Sequence, residues 1–84
     1  MTPFWPDGKA VQVALAGEEP VAFRWNRRQH RIQGVSARWR IHTLWWTDAV
    51  VWRDYWEVTT DTGLLCTLFR NLLTDGWFLE RVLE

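Results

Sequence analysis

The side chains that could carry catalysis or bind a metal are few and lie apart along the chain. The only histidines are His30 and His42, and Ser36 and Cys66 are the nucleophiles that could be considered with them. A nucleophile needs its base within hydrogen-bonding reach, and the strand register expected for this chain gives no reason for such a pair to meet. Two histidines also fall short of a metal site, because no third ligand is positioned with them. We therefore expect no enzyme activity, no metal and no cofactor.

The arginines, in contrast, indicate a binding surface. Residues 24–42 include six arginines and no acid, whereas the whole chain is formally neutral. If this segment forms β-strands whose side chains alternate between two faces, four of the arginines project from one face of three successive strands. A histidine lies on the same face. A nucleic-acid backbone or an acidic protein surface would offset such a concentration of positive charge. The predicted residues of this anion-binding face are Arg24, Arg31, Arg38, Arg40 and His42.

Internal neutralisation is the alternative to an anionic partner. The second half of the chain is acidic, and its carboxylates could fold across and pair with the same arginines. The charge asymmetry would then be a feature of the fold and not of a binding site. The sequence leaves both interpretations open. The acids that would take part are Asp48, Asp54, Glu57 and Glu80.

Eight tryptophans are many for a chain of 84 residues. Each buried Trp removes roughly 150–250 Å² from water, so a few of them can supply the core of a small domain. Alternation predicts that Trp25, Trp39 and Trp56 face this core. Tryptophans elsewhere are candidates for partner contacts, because Trp and Arg dominate interface hot spots. Three such candidates lie in a segment, 43–53, that could form a short helix and that we expect to be a packed loop: Trp45, Trp46 and Trp52.

Alternating apolar residues separated by polar breaks predict an all-β fold. Residues 1–8, which include two prolines and a glycine, are predicted to be an irregular lead-in, and residues 9–84 a single all-β domain. Short links between six or seven strands indicate a strongly curved antiparallel sheet or a partly open barrel. The predicted strands cover residues 9–15, 21–26, 29–33, 36–42, 54–60, 64–70 and 77–83.

The turn Asp61-Thr62-Gly63 defines the clearest hairpin. Its glycine stands where a three-residue turn favours positive φ, and this register pairs Val58 with Cys66 and Trp56 with Leu68 on the core face. The reverse face is half apolar, which suggests either that the sheet curls over something or that it forms a subunit contact in a homo-oligomer. The residues of this reverse face are Tyr55, Leu65, Thr67 and Phe69.

A second hairpin is predicted at Arg27-Arg28. A two-residue loop there pairs Trp25 with His30, keeps the apolar side chains on one face and places Arg24 opposite Arg31. Opposed arginines repel each other in a bare sheet, which again indicates an anionic partner. A glycine at position 34 then permits a bend or bulge before the next strand.

Nothing in the sequence indicates secretion or a membrane span. The first residues lack the pattern of a secretory signal, and no apolar run approaches about 18 residues. The single cysteine, Cys66, has no partner for an internal disulfide and is expected to be a small buried hydrophobic residue. We therefore expect a cytoplasmic protein without a membrane partner.

A series of short motifs runs in a fixed order along the chain. The motifs are Phe23-Arg24-Trp25, Arg28, His30-Arg31-Ile32, Arg40-Ile41, Trp45-Trp46, Arg53-Asp54-Tyr55, Gly63, Leu68-Phe69-Arg70 and Trp77-Phe78-Leu79. Over about residues 20–83 this order resembles the carboxy-terminal region of the catalytically degenerate Y-family DNA-polymerase homologue of the bacterial damage-induced mutasome. It is also similar to small stand-alone bacterial domains of uncharacterised function. The resemblance implies an accessory module of DNA-damage tolerance that recruits partner proteins and has no active site.

Two hypotheses follow from these observations. The leading one is a non-enzymatic module that binds a protein partner of the DNA-damage response, in translesion synthesis or repair. The alternative is a small β-domain that binds single-stranded nucleic acid through the arginine face. Arginines that are exposed and unpaired would favour nucleic acid, whereas arginines tied to acids would favour a protein partner. A third class, an enzyme acting on a small metabolite, would need a deep pocket with convergent polar groups.

Overall fold

Seven strands follow one another along the part of the chain that the structure describes. The computed structural model describes residues 2–43 and 50–83. Its strands form one antiparallel sheet, curled into a half-barrel, and this confirms the predicted all-β fold and curved sheet of a single small domain. Within these residues no helix is long and apolar enough to span a membrane. The strands are β1 (Phe4–Ala10), β2 (Gln12–Ala16), β3 (Glu19–Trp25), β4 (Arg28–Thr43), β5 (Val51–Thr60), β6 (Leu65–Asn71) and β7 (Trp77–Leu83), and their order in the sheet is β1-β7-β6-β5-β4-β3-β2.

The predicted hairpin of β5 and β6 is confirmed. Val58 stands opposite Cys66 and Trp56 opposite Leu68, as expected from the alternation of apolar residues. Gly63 has a φ of +86°, a conformation that glycine adopts without steric cost. This hairpin forms the centre of the sheet, and the rest of the fold is built outward from it.

Residues 4–8 belong to a strand, which corrects the prediction of an irregular lead-in over residues 1–8. β1 pairs with β7, and Phe4 stands opposite Arg81. The prediction gave weight to Pro6, which has no N–H to donate to a sheet. β1 is an edge strand, however, and edge strands and irregular positions within them tolerate proline.

β1 and β2 are consecutive in the chain but lie at opposite edges of the sheet. Only Val11 separates them, at a point where the sequence predicted one uninterrupted strand over residues 9–15. The amide of Val11 donates a hydrogen bond to the carbonyl oxygen of Trp77 at 3.3 Å, and two residues later Val13 stands opposite Phe23 of β3. The segment of β1 and β2 thus pairs first with β7 and then with β3, and it connects the two edges of the half-barrel.

The hairpin of β3 and β4 has a different register from the predicted one. Its two-residue turn is Asn26-Arg27, with φ values of 55° and 63°, and not Arg27-Arg28. Positive φ at both central residues is typical of a type I′ hairpin turn, and asparagine adopts it more readily than arginine does. Arg24 therefore stands opposite Gln29. Because the register is displaced by two residues, Arg24 and Arg31 keep their common face but are not opposed.

Two bulges in β4 decide which way its second half faces. The register against β5 shifts between Ile32 and Gly34, and it shifts again between Val35 and Ala37. One extra residue reverses the alternation of side chains, and a second extra residue restores it. Arg38 therefore returns to the face that carries Ile32. The sequence indicated only the first of these irregularities, at the glycine.

The inner face of the half-barrel, which carries Trp56, holds the hydrophobic core. Burial raises the pKa of the Cys66 thiol to about 12, so this side chain is an uncharged, unreactive part of the core at neutral pH. Trp25 and Trp77 are half-buried and pack against the same cluster. The fully buried members of the cluster are Phe23, Trp56, Val58, Cys66, Leu68, Leu79 and Val82.

The outer face, on the opposite side of the sheet, carries a second apolar layer that β1 covers. Tyr55 and Phe69 are buried there, with ring centroids 5.2 Å apart. Gly8 lies against the Phe69 ring so closely that an added Cβ atom would be 2.5 Å from Phe69 Cζ. Arg53 Nη1 donates to the carbonyl oxygen of Pro6 at 3.4 Å, and its guanidinium lies 4.4 Å from the Phe69 ring centroid. The half-apolar reverse face is therefore covered by the chain itself.

Candidate partner-binding surface

Arg40 and Asp54 form an ion pair on the inner face, between β4 and β5. The buried carboxylate of Asp54 accepts hydrogen bonds from Arg40 Nε at 2.8 Å and from Arg40 Nη2 at 3.1 Å. Arg38 Nη2 lies 3.7 Å from the same carboxylate. The hydrogen bonds from Arg40 lower the pKa of Asp54 and outweigh the opposing effect of burial. One carboxylate thus lies within salt-bridge distance of two guanidinium groups.

Arg38 also contacts the core. Its guanidinium carbon lies 4.0 Å from the centroid of the Trp56 ring, a cation–π geometry, while half of its side chain remains exposed. Arg38 and Arg40 therefore pair with one of the expected acids, Asp54, whereas Glu57 and Glu80 form no salt bridge within the described residues.

A cleft of about 270 Å³ opens beside this ion pair. Arg70 on its wall pairs with Asp75, so the third arginine of the cleft is also bound to a carboxylate. Three arginines and three acids line the cleft, and their formal charges balance. A balanced, open cleft does not attract a polyanion in the way that a basic groove does. Its lining residues are Glu18, Arg38, Arg40, Asp54, Trp56, Arg70, Leu72, Asp75 and Trp77.

The predicted single arginine face is wrong. Arg38 and Arg40 lie on the inner face with Trp56 and Asp54, whereas Arg24 and Arg31 lie on the outer face of β3 and β4. The physical reason is the pair of bulges in β4. A single bulge at the glycine would have brought all four side chains to one side, and the second bulge reverses that change.

Arg24 and Arg31 form a separate basic surface with the adjoining turn. Both are exposed, as are Arg27 and Arg28. Among residues 2–43 and 50–83, no carboxylate forms a salt bridge with any of these four side chains. Asp61 lies close by, but it accepts its hydrogen bond from the backbone amide of Arg31, at 3.0 Å, and not from the guanidinium. This surface is the part of the predicted anion-binding face that remains unpaired in the described chain.

Trp39 lies on the outer face and is 38% exposed, which corrects its predicted place in the core. It stacks on Tyr55 with ring centroids 5.3 Å apart and an interplanar angle of 3°. Ile41, on the same face two residues further along β4, is 39% exposed. Neither residue was predicted as a candidate contact, because apolar residues that alternate with arginine are equally typical of a strand whose apolar face lies on the core.

His42 and Trp52 stack on each other at the far end of β4 and β5. Their ring centroids are 4.6 Å apart at an interplanar angle of 16°. Trp52 is half-buried and belongs to β5, which corrects its predicted place in a loop; its indole Nε1 has no hydrogen-bond partner among the described residues. The two other predicted partner-binding residues, Trp45 and Trp46, lie outside the described residues.

The structure thus gathers the predicted residues into two surfaces. One is the second half of β4, with Arg38, Arg40 and His42 on the inner face and Trp39 on the outer face. The other is the arginine surface at the β3–β4 hairpin. Comparison of the chain with family models, with curated proteins and with solved structures finds no match.

Proposed function

We propose that this chain is a non-enzymatic protein-interaction module that serves DNA-damage tolerance, in translesion synthesis or repair, in the cytoplasm. The observation that carries the proposal is Trp39, an exposed indole held flat against the buried Tyr55 ring with the exposed Ile41 beside it. An aromatic ring that is already ordered loses little conformational entropy on binding, and tryptophan is the residue most enriched among interface hot spots.

The charges on the same strand support a protein partner over a nucleic acid. Arg38 and Arg40 are bound to Asp54, so they are not available as a row of free phosphate ligands. The link to DNA damage rests on the ordered motifs from Phe23 to Leu79, whose arrangement is similar to that of the mutasome homologue.

An affinity purification tests this proposal. The full chain is immobilised and incubated with an extract of DNA-damaged bacterial cells, and bound proteins are identified by mass spectrometry. We expect recovery of a polymerase, a recombinase or a sliding-clamp component. Trp39→Ala should lower that recovery roughly tenfold or more, because it truncates a hot-spot residue. Leu73→Ala, which shortens an exposed side chain in the β6–β7 turn, is the control and should leave recovery unchanged. Recovery of none of the three classes by the wild-type chain would refute the proposal.

Binding of single-stranded nucleic acid is the second candidate function. It is favoured by one observation, the exposure of Arg24 and Arg31 next to the arginines of the β3–β4 turn, without a salt bridge among the described residues. Guanidinium groups in this state are free to contact phosphates.

A fluorescence titration of a labelled oligonucleotide tests this second candidate. We expect binding at low salt, with an affinity that falls as salt is added. The plot of log K against log salt concentration has a negative slope, and each lost phosphate contact makes this slope shallower by about 0.7. The double variant Arg24→Gln/Arg31→Gln should therefore have a slope that is shallower by about 1.4. Arg70→Gln, which removes an arginine that is bound to Asp75, is the control. No change in fluorescence with the wild-type chain at low salt removes the candidate.

A further inference from the structure

Among the described residues, the second half of β4 pairs with another strand on one side only. β3 pairs with β4 only from Arg28 to Arg31, whereas β5 pairs with β4 from Ile32 to Thr43. Within the described residues, no strand or turn bonds to the other side of residues 35–43, which we term the β4 edge. At about 3.4 Å per residue these positions span roughly 27 Å, more than the five or six residues of a typical strand. Backbone N–H and C=O groups at alternate residues along the β4 edge point away from β5.

The side chains of the β4 edge alternate between two chemistries. Trp39 and Ile41 present exposed apolar surface on the outer face. Arg38, Arg40 and His42 lie on the inner face, where a single carboxylate is shared by the two guanidinium groups. No acid occurs in this part of the sequence. A strand added here would therefore meet positive charge on one side and apolar surface on the other.

A second copy of this chain does not fit the β4 edge. If two such edges paired antiparallel with Trp39 opposite Trp39, Arg38 of each copy would stand opposite Arg40 of the other. Like charges directly opposite each other destabilise a strand pair. A parallel pairing in register would also place arginine beside arginine. Inward-pointing charges are one means by which natural sheets prevent edge-to-edge association, and the arginines act here in that sense.

We propose that the β4 edge binds an extended segment of a partner protein by strand addition, a proposal that rests on the proposed function as a protein-interaction module. The segment has acidic side chains at every second residue, facing Arg38 and Arg40, and apolar side chains between them, beside Trp39 and Ile41. Main-chain hydrogen bonds to the edge supply affinity, and the alternating side chains supply specificity. Arg38 lies 3.7 Å from Asp54 and half of its side chain is exposed, so its guanidinium can also contact an acidic residue of the partner, and this contact gives the partner its complementarity.

Synthetic peptides provide the direct test with the full chain. The probe is a fluorescein-labelled peptide of the sequence Glu-Val-Glu-Tyr-Glu-Val-Glu, titrated with protein and followed by anisotropy. One control has lysine in place of every glutamate, and another has the same composition with the glutamates grouped at one end. We expect the alternating acidic peptide to bind roughly tenfold tighter or more than either control. No binding of this probe at up to about 1 mM protein, or equal binding of all three peptides, overturns the proposal.

Backbone methylation separates strand addition from simple charge attraction. In an added strand, only alternate N–H groups face the sheet edge. One probe is N-methylated at its glutamates and another at its apolar residues. We expect one of these two probes to lose binding and the other to keep it. If both bind or both fail, the main chain is not pairing with the β4 edge, and the proposal is wrong.

Variants of the protein locate the site. Arg38→Gln should weaken binding of the acidic probe roughly three- to tenfold. Arg24→Gln, which removes an exposed arginine of the other surface, should leave it unchanged, and circular dichroism checks that both variants fold. Equal effects of the two substitutions would place the probe elsewhere. Sedimentation of the free protein completes the test, since a dimer that the probe dissociates would make a second copy the occupant.

The outcomes also separate this inference from the proposed function. If the affinity purification recovers a damage-response protein through Trp39 but the probes do not bind as expected, only strand addition fails. If the probes bind as expected but no damage-response protein is recovered, the β4 edge remains a peptide-binding site and the link to DNA damage fails.

Discussion

Replacing Phe69 with alanine is expected to lower the free energy of unfolding by about 3–5 kcal/mol. Phe69 is only 1% exposed, and it packs between Tyr55, Phe78 and Gly8 on the outer face. Its removal leaves a cavity beneath β1 and takes away the ring under the guanidinium of Arg53. The loss should match that of a core residue, although Phe69 lies on the side of the sheet opposite the main core.

Phe4→Ala is the matched control for this substitution. It removes the same atoms from a strand of the same sheet, but Phe4 is 55% exposed. We expect a loss of less than about 1 kcal/mol. Urea unfolding of both variants, followed by tryptophan fluorescence, measures the difference. Similar losses for the two variants would show that the outer layer is not a packed core.

Gly8→Ala is expected to destabilise the protein by about 2–5 kcal/mol, from strain and overpacking together. The φ of Gly8 is +86°, which an L-residue adopts only with strain. An added Cβ atom would also lie 2.5 Å from Phe69 Cζ and 2.7 Å from Phe78 Cβ. Neither neighbour can move aside easily, because Phe69 is buried and the Phe78 Cβ is fixed to the backbone.

Gly17→Ala separates the two contributions. Gly17 has a φ of +65°, but no heavy atom lies within 4 Å of the position that its Cβ would occupy. It should therefore show the conformational strain alone, about 1–2 kcal/mol. Thermal unfolding of the two variants gives the comparison. If Gly8→Ala costs no more than Gly17→Ala, then β1 does not lie against the outer aromatic layer.

The hairpin of β5 and β6 could be predicted from sequence because its signals are local. Val58, Trp56, Cys66 and Leu68 recur at every second residue of the two strands, and Gly63 fixes the turn between them. When the turn and the apolar pattern agree, only one register buries the whole apolar set. The prediction of an all-β curved sheet followed from several such signals and is confirmed.

The faces of β4 could not be predicted, because they depend on bulges that leave little mark in the sequence. Gly34 indicated one irregularity, but the residue added between Val35 and Ala37 is a serine with no special backbone preference. The count of bulges decides whether Arg38 or Trp39 faces the core. Arg38 lies on the inner face and Trp39 on the outer face, which is the reverse of the prediction. For this reason the arginines form two separate surfaces and not a single face.

The turn at Asn26 and the first strand were missed for different reasons. Asn26 tolerates positive φ, so the correct hairpin turn had a local signal that was outweighed by the apolar pairing of the next residues. Residues 4–8 of the first strand had no such signal, because proline and glycine are typical of irregular chain. The place of this strand is fixed by contacts with Phe69 and Phe78, which lie far away in the sequence.

The link through Val11 has a consequence for how the molecule is made. β1 can find its sheet partner only after the ribosome has translated β7, which lies at the other end of the described chain. Pairings between such distant segments form slowly, because the entropy of closing a long loop is lost before the contacts between the strands contribute any stabilisation. Nascent chains that have not yet reached Leu83 therefore leave the first segment without its sheet partner.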